Sequence, residues 1–307
     1  MLQVVDSDEV IDIRELWHPD DDLQPSGEAA CIPMATGLAH LYTEAGLVVA
    51  ADGFNYYRFG PGPDVLTVES TKAQKIYAFD GFDRCLSCAF YGRVTLSDDN
   101  DEKVFNFVTA CHDSMRELAN VRMKDANELA RNLAPKVFGL LEETKRSGRL
   151  DRYPNTRREF GKRGRPLARV FIDGCFGSKF YRSGIRFFHD EQKLDWDFAM
   201  EHRLELGVVN RFYGSDEIYR CLFRTNDSRL EKYRSSATRA FKETEPMSSI
   251  DAAVQVATDF IGACSDPVAK EIEGINFQRI GGELHVATIK ASEGFQWVKH
   301  PSEFDEL

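Results

Sequence analysis

The order of the hydrophobic patterns along the chain restricts its fold more than any other feature of the sequence. Blocks of short apolar runs with strand character alternate with long segments that carry apolar residues at helical spacing. The strand-like runs lie at 38–42, 46–52, 75–79, 85–91, 167–172, 185–189, 204–209, 284–289 and 295–298. The helical segments lie at 104–118, 126–140 and 249–263. Because helices grouped between blocks of strands are typical of layered proteins, the sequence predicts the α+β class.

Loop and helix-breaking residues complete this pattern. Pro135 is expected to disturb the second helical segment, because proline removes a backbone donor from a helix. The segment 56–67 contains Gly60-Pro-Gly-Pro63 and is predicted to be a loop, as is the Arg-, Gly- and Pro-rich segment 145–166. Two antiparallel sheets packed face to face, with helices on both outer faces, would satisfy this order. Composition alone does not select that arrangement from other α+β folds.

The bulk composition excludes several classes of function. The chain has 307 residues, enough for one large domain or two small ones with a substantial core. Its net charge of -11 disfavours a general role on nucleic acid or on an anionic membrane surface. No apolar run approaches the roughly 20 residues that a membrane helix needs. Seven cysteines without a secretory signal indicate reduced thiols and a cytoplasmic protein.

The first part of the chain differs from the rest. Residues 6–22 are rich in acids, and Pro25 is one of several prolines that prevent a long helix. Apolar residues such as Trp17 are also frequent, which is unusual for a solvated tail and indicates packing against the protein. The sequence therefore predicts an acidic N-terminal extension or propeptide over 1–35 and one domain over 36–307.

Three motifs in the first third of the chain have a defined spacing. Thr36 lies 16 residues before Asp52, which ends the apolar run Gly46-Leu-Val-Val-Ala-Ala-Asp52. Lys75 follows within Ala73-Gln-Lys75-Ile. This pattern resembles that of proteasome-type subunits of the β type, and a bacterial proteasome-like homologue is the nearest description. The resemblance continues less specifically through Gly214-Ser215 and Ile280-Gly-Gly, and covers most of residues 36–298.

The resemblance implies a fold and a chemistry. The fold would be the four-layer αββα sandwich of the N-terminal-nucleophile hydrolases, with two antiparallel sheets. Thr36 would be the nucleophile of a threonine peptidase, and its α-amine, freed by removal of residues 1–35, would accept the hydroxyl proton. Lys75 would lower the proton affinity of that hydroxyl, and Asp52 would hold the lysine. Gly92 is the candidate backbone donor to an oxyanion, by its position after a strand.

The same resemblance implies the partners and completes the candidate site. Ser215, in the Gly-Ser turn, joins Thr36, Asp52, Lys75 and Gly92 as the fifth candidate catalytic residue. The protein would act on a peptide or protein substrate and would assemble with copies of itself, in a ring or an open assembly. The resemblance implies neither a cofactor nor a metal ion.

Each candidate residue also has a purely structural interpretation. Thr36 is then a threonine at a strand edge, Asp52 ends a strand at a turn, Gly92 is a β-bulge, and Lys75 is a solvated edge residue. The chain also departs from the family pattern. Ala35 and Gly37 flank the threonine where the family commonly has glycine and a second threonine, and apolar residues lie near 277–280 where the family uses aspartate and serine.

An apolar pair at Phe277 and Ile280 cannot hydrogen-bond a threonine amine. The alternative function is therefore a catalytically inactive proteasome-like scaffold or interaction protein that keeps its N-terminal extension. A third hypothesis, a partner-binding or nucleic-acid-binding module, rests on the basic loop 145–169, for which solvation or contact with the acidic extension is favoured.

Cys85-x-x-Cys88 has metal-like spacing, but strand alternation sends the two thiols to opposite faces, which favours a packed strand.

Overall fold

The computed structural model describes ten ranges of the chain: 36–58, 66–70, 72–79, 86–92, 94–97, 102–150, 167–189, 194–200, 210–274 and 280–300. Several sequence predictions lie outside the described residues. They are the extension at 1–35, the Gly60-Pro-Gly-Pro63 loop, Cys85, Phe277, the strand at 204–209 and the greater part of the loop 145–166.

The described residues include fourteen strands. They are β1 (Leu38–Thr43), β2 (Gly46–Ala51), β3 (Asn55–Arg58), β4 (Leu66–Ser70), β5 (Ile76–Ala78), β6 (Leu86–Gly92), β7 (Thr95–Ser97), β8 (Lys103–Asn106), β9 (Ala168–Phe176), β10 (Lys179–His189), β11 (Leu194–Met200), β12 (Arg211–Tyr213), β13 (His285–Lys290) and β14 (Gly294–Lys299).

Six α-helices and one 3₁₀ helix lie in the same ranges. The α-helices are α1 (Phe107–Leu118), α2 (Ala126–Arg146), α3 (Asp216–Phe223), α4 (Ser236–Ala240), α5 (Ile250–Ser265) and α6 (Pro267–Glu273), and the 3₁₀ helix is Ser228–Tyr233. None of the helices in the described part of the chain combines the length and the apolar character that crossing a bilayer requires.

Ten of the strands form two antiparallel sheets. The first sheet has the order β12-β1-β2-β13-β14, and the second has the order β11-β10-β9-β6-β5. Tight connections between β1 and β2, β9 and β10, and β13 and β14 make these pairs hairpins. The remaining strands form two small antiparallel pairs, β3 with β4 and β7 with β8.

Three apolar clusters show how these elements pack. One lies between the facing sheets and includes Leu38 and Val49 of the first sheet and Phe171 of the second. Another joins the second sheet to α1 and α2, and a further cluster joins the first sheet to α3, α5 and α6. Each sheet therefore packs one face against the other sheet and its opposite face against helices. This arrangement removes the apolar surface of both faces from water.

The structure confirms the mixed α+β class with antiparallel sheets. Strands β1 and β2 and the hairpin of β13 and β14 lie where their apolar patterns predicted them. The predicted helix over 249–263 is α5, and the Ser249 hydroxyl caps it by accepting a hydrogen bond from the backbone N–H of Ala252 at 3.1 Å.

Four local predictions are wrong. The helix predicted over 104–118 begins only at Phe107, because residues 104–106 belong to β8. Helix α2 continues through Pro135 and ends at Arg146, within the segment predicted as a loop. Pro135 is exposed, so water can satisfy the carbonyl that loses its partner, while buried neighbours such as Leu133 and Val137 hold the helix on the second sheet. The segment 56–67 is not wholly a loop, because its ends belong to β3 and β4.

Candidate active site

Asp52 lies directly after β2, at one end of the first sheet. Its backbone N–H donates to the carbonyl of Gly37 at 3.0 Å, which extends the pairing of β1 and β2 by one step beyond Leu38 and Ala51. Its side chain is fully buried. The N–H of Gly37 donates to Asp52 Oδ1 at 2.8 Å, so the carboxylate holds the backbone of the residue that follows Thr36.

Lys75 reaches Asp52 from the second sheet. Its Nζ donates to Asp52 Oδ1 at 2.6 Å, and the lysine is only 4% exposed. The carbonyl of Lys75 accepts the N–H of Phe90 at 3.0 Å, which fixes the lysine backbone beside β6. The ion pair therefore bridges the two sheets at Gly37, the residue that follows Thr36, and the interpretation of Lys75 as a solvated edge residue is wrong.

Two more backbone N–H groups donate hydrogen bonds to the Asp52 carboxylate. Asp52 Oδ2 accepts the N–H of Gly281 at 3.1 Å and that of Phe54 at 3.3 Å. Gly281 in turn accepts the N–H groups of Gly53 and Phe54 through its carbonyl. A Cβ atom at position 281 would lie 2.4 Å from the Phe54 ring, so glycine is needed for this close approach.

Burial and pairing shift the pKa values of Asp52 and Lys75 in opposite directions. Burial raises the pKa of the Asp52 carboxyl above its usual value and lowers the pKa of the Lys75 amine, and each charge opposes the effect on the other. Both carboxylate oxygens accept N–H donors, which favours the ionised form of Asp52. The site therefore holds a desolvated positive charge near the start of β1.

Thr36 precedes Gly37, whose N–H binds Asp52, and it is 4% exposed. A Cβ atom at Gly37 would lie 2.7 Å from the Ile280 side chain and 3.0 Å from that of Ile261. A Cβ atom at Gly214 would lie 3.3 Å from the Thr36 carbonyl oxygen. The structure thus brings Thr36, Asp52, Lys75 and the Gly-Ser turn together, and places apolar side chains over the Thr36–Gly37 backbone.

Ser215 performs a structural task in this turn. Its Oγ accepts the N–H of Ile218 at 3.0 Å and caps α3. Gly214 has a φ of 128°, which glycine adopts readily and which a side chain would disfavour. The sequence signal for this missed helix was present, since Asp216 and Glu217 follow the capping serine in the first turn.

Gly92 lies at the end of β6 and pairs with Ala168 of β9. Its φ is 91°, and a Cβ atom there would lie 3.1 Å from the Leu167 carbonyl oxygen. These contacts belong to the second sheet, two residues beyond the Phe90 amide that bonds Lys75. They explain the glycine by backbone geometry and give no direct link to Thr36.

His285 is an ionisable residue of the site that the sequence motifs did not indicate. It is fully buried and is the cross-strand partner of Ala51, which precedes Asp52. Burial and then the charge of Lys75 lower the pKa of His285 to about 4, so its imidazole is neutral at pH 7. The sequence signal for its burial is the alternation of β13, which places His285 on the same face as the apolar residues Ala287 and Ile289.

The described residues contain no group of three His, Cys, Asp or Glu side chains arranged to hold a metal ion. Neither the known family models nor the curated proteins give a match to this chain.

Proposed function

We propose that this protein is a proteasome-like threonine peptidase that hydrolyses amide bonds with Thr36 as an N-terminal nucleophile. The observation that carries the proposal is the buried Lys75–Asp52 pair, at 2.6 Å, whose carboxylate also binds the N–H of Gly37. A lysine desolvated in this way is costly unless it is paired, and a positive charge beside a hydroxyl is suited to activating it.

The reaction would proceed in two steps. Once the Ala35–Thr36 bond is cut, the Thr36 hydroxyl attacks the substrate carbonyl and its proton passes to the free α-amine of the same residue. The amine leaving group takes up that proton as the C–N bond breaks, which leaves an ester on Thr36. Water then attacks the ester carbonyl and gives its proton to the α-amine, the ester C–O bond breaks to release the carboxylic acid product, and the amine returns the proton to the threonine oxygen. Lys75 stabilises the developing negative charge on the threonine oxygen throughout.

The architecture supports this proposal at the level of layers. Two facing antiparallel sheets with helices on their outer faces are compatible with the αββα sandwich of the N-terminal-nucleophile hydrolases. We extend the proposal to assembly with copies of itself, in a ring or an open form, and to a cytoplasmic location. The substrate would be a peptide or an unfolded protein segment.

One observation favours the inactive scaffold as a second candidate. Ile280 and Ile261 pack against Gly37, so apolar groups cover the backbone from which an α-amine would need polar support. In that case the Lys75–Asp52 pair serves only to join the two sheets. The protein would then keep residues 1–35 and present its surfaces to a partner.

Intact-mass measurement and peptide hydrolysis together separate these candidates. A mass loss that matches residues 1–35, with hydrolysis that disappears in Thr36→Ala and survives in part in Thr36→Ser, is the result that the peptidase predicts. Thr109→Ala is the matched control, because Thr109 is exposed on α1, and it should retain full activity. An intact chain without hydrolysis favours the scaffold, and hydrolysis that is unchanged in Thr36→Ala excludes Thr36 as the nucleophile.

A further inference from the structure

Arg182 of β10 has the largest side chain among those that are almost fully buried in the described residues. Its Nε donates to Asp173 Oδ1 of β9 at 2.7 Å, and Asp173 is also fully buried. A buried guanidinium loses its hydration and is tolerated only when a carboxylate pairs with it. This pair stands apart from the candidate active site and is not used by the mechanism above.

The pair belongs to a polar row on the inner face of the second sheet. Asp173 lies directly opposite Arg182 on one neighbouring strand and opposite Ser87 of β6 on the other. Directly opposed residues of antiparallel strands project to the same face. Phe171, two residues before Asp173, belongs to the cluster between the sheets, so this row faces the first sheet.

His40 of β1 completes the row from the first sheet. Its Nδ1 lies 2.8 Å from Asp173 Oδ2, and because a carboxylate oxygen only accepts, Nδ1 is the donor. The rings of Phe171 and Tyr213 flank the imidazole, with centroids at 5.0 Å and 5.7 Å. Although burial acts to raise it, His40 and Arg182 hold the pKa of Asp173 at about 2.

Stability alone does not account for such a network. Replacing a buried ionic triad by apolar residues of similar size is often neutral or stabilising, because desolvation offsets the attraction. A buried polar network instead restricts the geometry, since its bonds form at one register only. The contacts that surround it between the sheets are apolar and non-directional, so they resist a sliding movement of one sheet over the other less strongly.

The network joins the two elements that carry the candidate active site. His40 lies four residues after Thr36 on the same extended segment. Asp173 lies on β9, which pairs with β6, and β6 binds the Lys75 backbone through Phe90. The position of β1 on the second sheet therefore sets where Thr36 lies relative to Lys75.

We propose that the buried His40–Asp173–Arg182 network is a positioning device that fixes β1 on the second sheet and thereby aligns Thr36 with Lys75. The alignment is structural, and only its catalytic consequence rests on the proposed peptidase function. The three side chains touch neither substrate nor the reacting atoms, so they are positioning residues.

The test compares an apolar replacement with the intact network. The triple variant His40→Leu, Asp173→Leu, Arg182→Met removes every charge at once, so it avoids an unpaired buried ion. Amide hydrogen exchange of Gly37, whose N–H binds Asp52, reports the alignment without any need for activity. The amide of Val137 in α2 and the melting temperature report the fold as a whole.

The expected result is a Gly37 amide that exchanges at least about tenfold faster in the triple variant, while Val137 exchange and the melting temperature stay near their original values. With a peptide substrate, kcat should fall roughly 100-fold and KM should change little, because a displacement of about 1 Å costs this much in a positioned reaction. His40→Asn, which keeps a donor near the Nδ1 position, should restore most of what His40→Ala loses. Ser183→Ala is the matched control. Ser183 is buried next to Arg182, but its cross-strand partner Ile172 belongs to the cluster between the second sheet and helices α1 and α2, so Ser183 lies on the opposite face from the network.

Unchanged Gly37 exchange in a folded triple variant would overturn the proposal. If the triple variant does not fold, the comparison of His40→Asn with His40→Ala decides: equal Gly37 exchange in both overturns the proposal, and slower exchange in His40→Asn supports it. A wild-type protein that hydrolyses nothing would remove the peptidase function, while a Gly37 amide that still responds to the variants would leave the positioning role standing.

Discussion

Among the described residues, the Lys75–Asp52 pair and the His40–Asp173–Arg182 network both cross the space between the sheets, and they are built in different ways. At the end of the sheets, Lys75 meets an Asp52 carboxylate that also accepts three backbone N–H groups. In the interior, Asp173 meets only side chains in its described bonds, those of His40 and Arg182. The first link depends on chain turns and glycines, and the second on the identities of three side chains.

This difference separates two tasks that one fold has to perform. A carboxylate held by backbone donors keeps its place when a side chain changes, which suits a site where chemistry takes place. A network of side chains has one favourable register and loses it when any member is replaced, which suits alignment. We expect variants of the first link to change the rate of hydrolysis as well as stability, and variants of the second to change mainly stability and alignment. Four predictions test this difference, and they are given from the largest expected effect to the smallest.

Lys75→Ala should lower the rate of peptide hydrolysis by about 10³-fold or more, because the threonine oxygen loses its neighbouring charge. Removing Lys75 also leaves the buried Asp52 carboxylate without its cation, so the free energy of unfolding should fall by about 3 to 5 kcal/mol, although the N–H groups of Gly37, Phe54 and Gly281 still bind Asp52. The rate is compared only under conditions in which the variant is folded. The measurement is single-turnover hydrolysis together with circular dichroism. A variant that retains more than half of the wild-type rate would contradict the assigned role of Lys75.

Gly281→Ala should lower the free energy of unfolding by up to about 3 kcal/mol, because a Cβ atom would meet the Phe54 ring at 2.4 Å. The turn that brings the Gly281 N–H to Asp52 would shift as well, so hydrolysis should fall with stability. Urea denaturation measures the first effect. A stability loss without any change in rate would show that this turn supports the fold and not the site.

Acid should weaken the interior link in a defined range of pH. The pKa of Asp173 is about 2 in the folded protein, below the ordinary value of 3.8. Its contribution to stability is therefore complete above pH 4 and is lost as the pH falls from about 4 to 2, by about 2 kcal/mol. Denaturation at several pH values measures this loss. Asp173→Asn should lack that part of the acid dependence, and an identical pH profile in both proteins would refute the assignment.

Gly139→Ala should raise the free energy of unfolding by about 0.5 to 1 kcal/mol. Gly139 lies inside α2, and a Cβ atom there would meet nothing within 4 Å. This variant is the counterpart of Gly281→Ala, since the same substitution is made where no ring approaches. Thermal denaturation measures the gain, and a loss of stability would mean that the backbone of α2 needs glycine at this position.

Regular patterns explain most of what the sequence predicted correctly. The apolar run before Asp52, the hairpin of β13 and β14 and the capped helix α5 each follow from local spacing. Helix α3 was missed because it is short and begins in a Gly-Ser turn that was interpreted only by resemblance. The continuation of α2 through Pro135 depended on packing against the second sheet, which no local pattern contains.

The sequence by itself determined the α+β class and the spacing of Thr36, Asp52 and Lys75, because periodicity and distance along the chain are local properties. Only the tertiary structure decided that Lys75 is buried on Asp52 and that Gly281, 229 positions from Asp52, donates to the same carboxylate. It also decided that Asp173 joins His40, 133 positions away, to Arg182. Such contacts depend on how strands are ordered and faced within the sheets, and that order is set by the burial of the whole chain rather than by any segment of it.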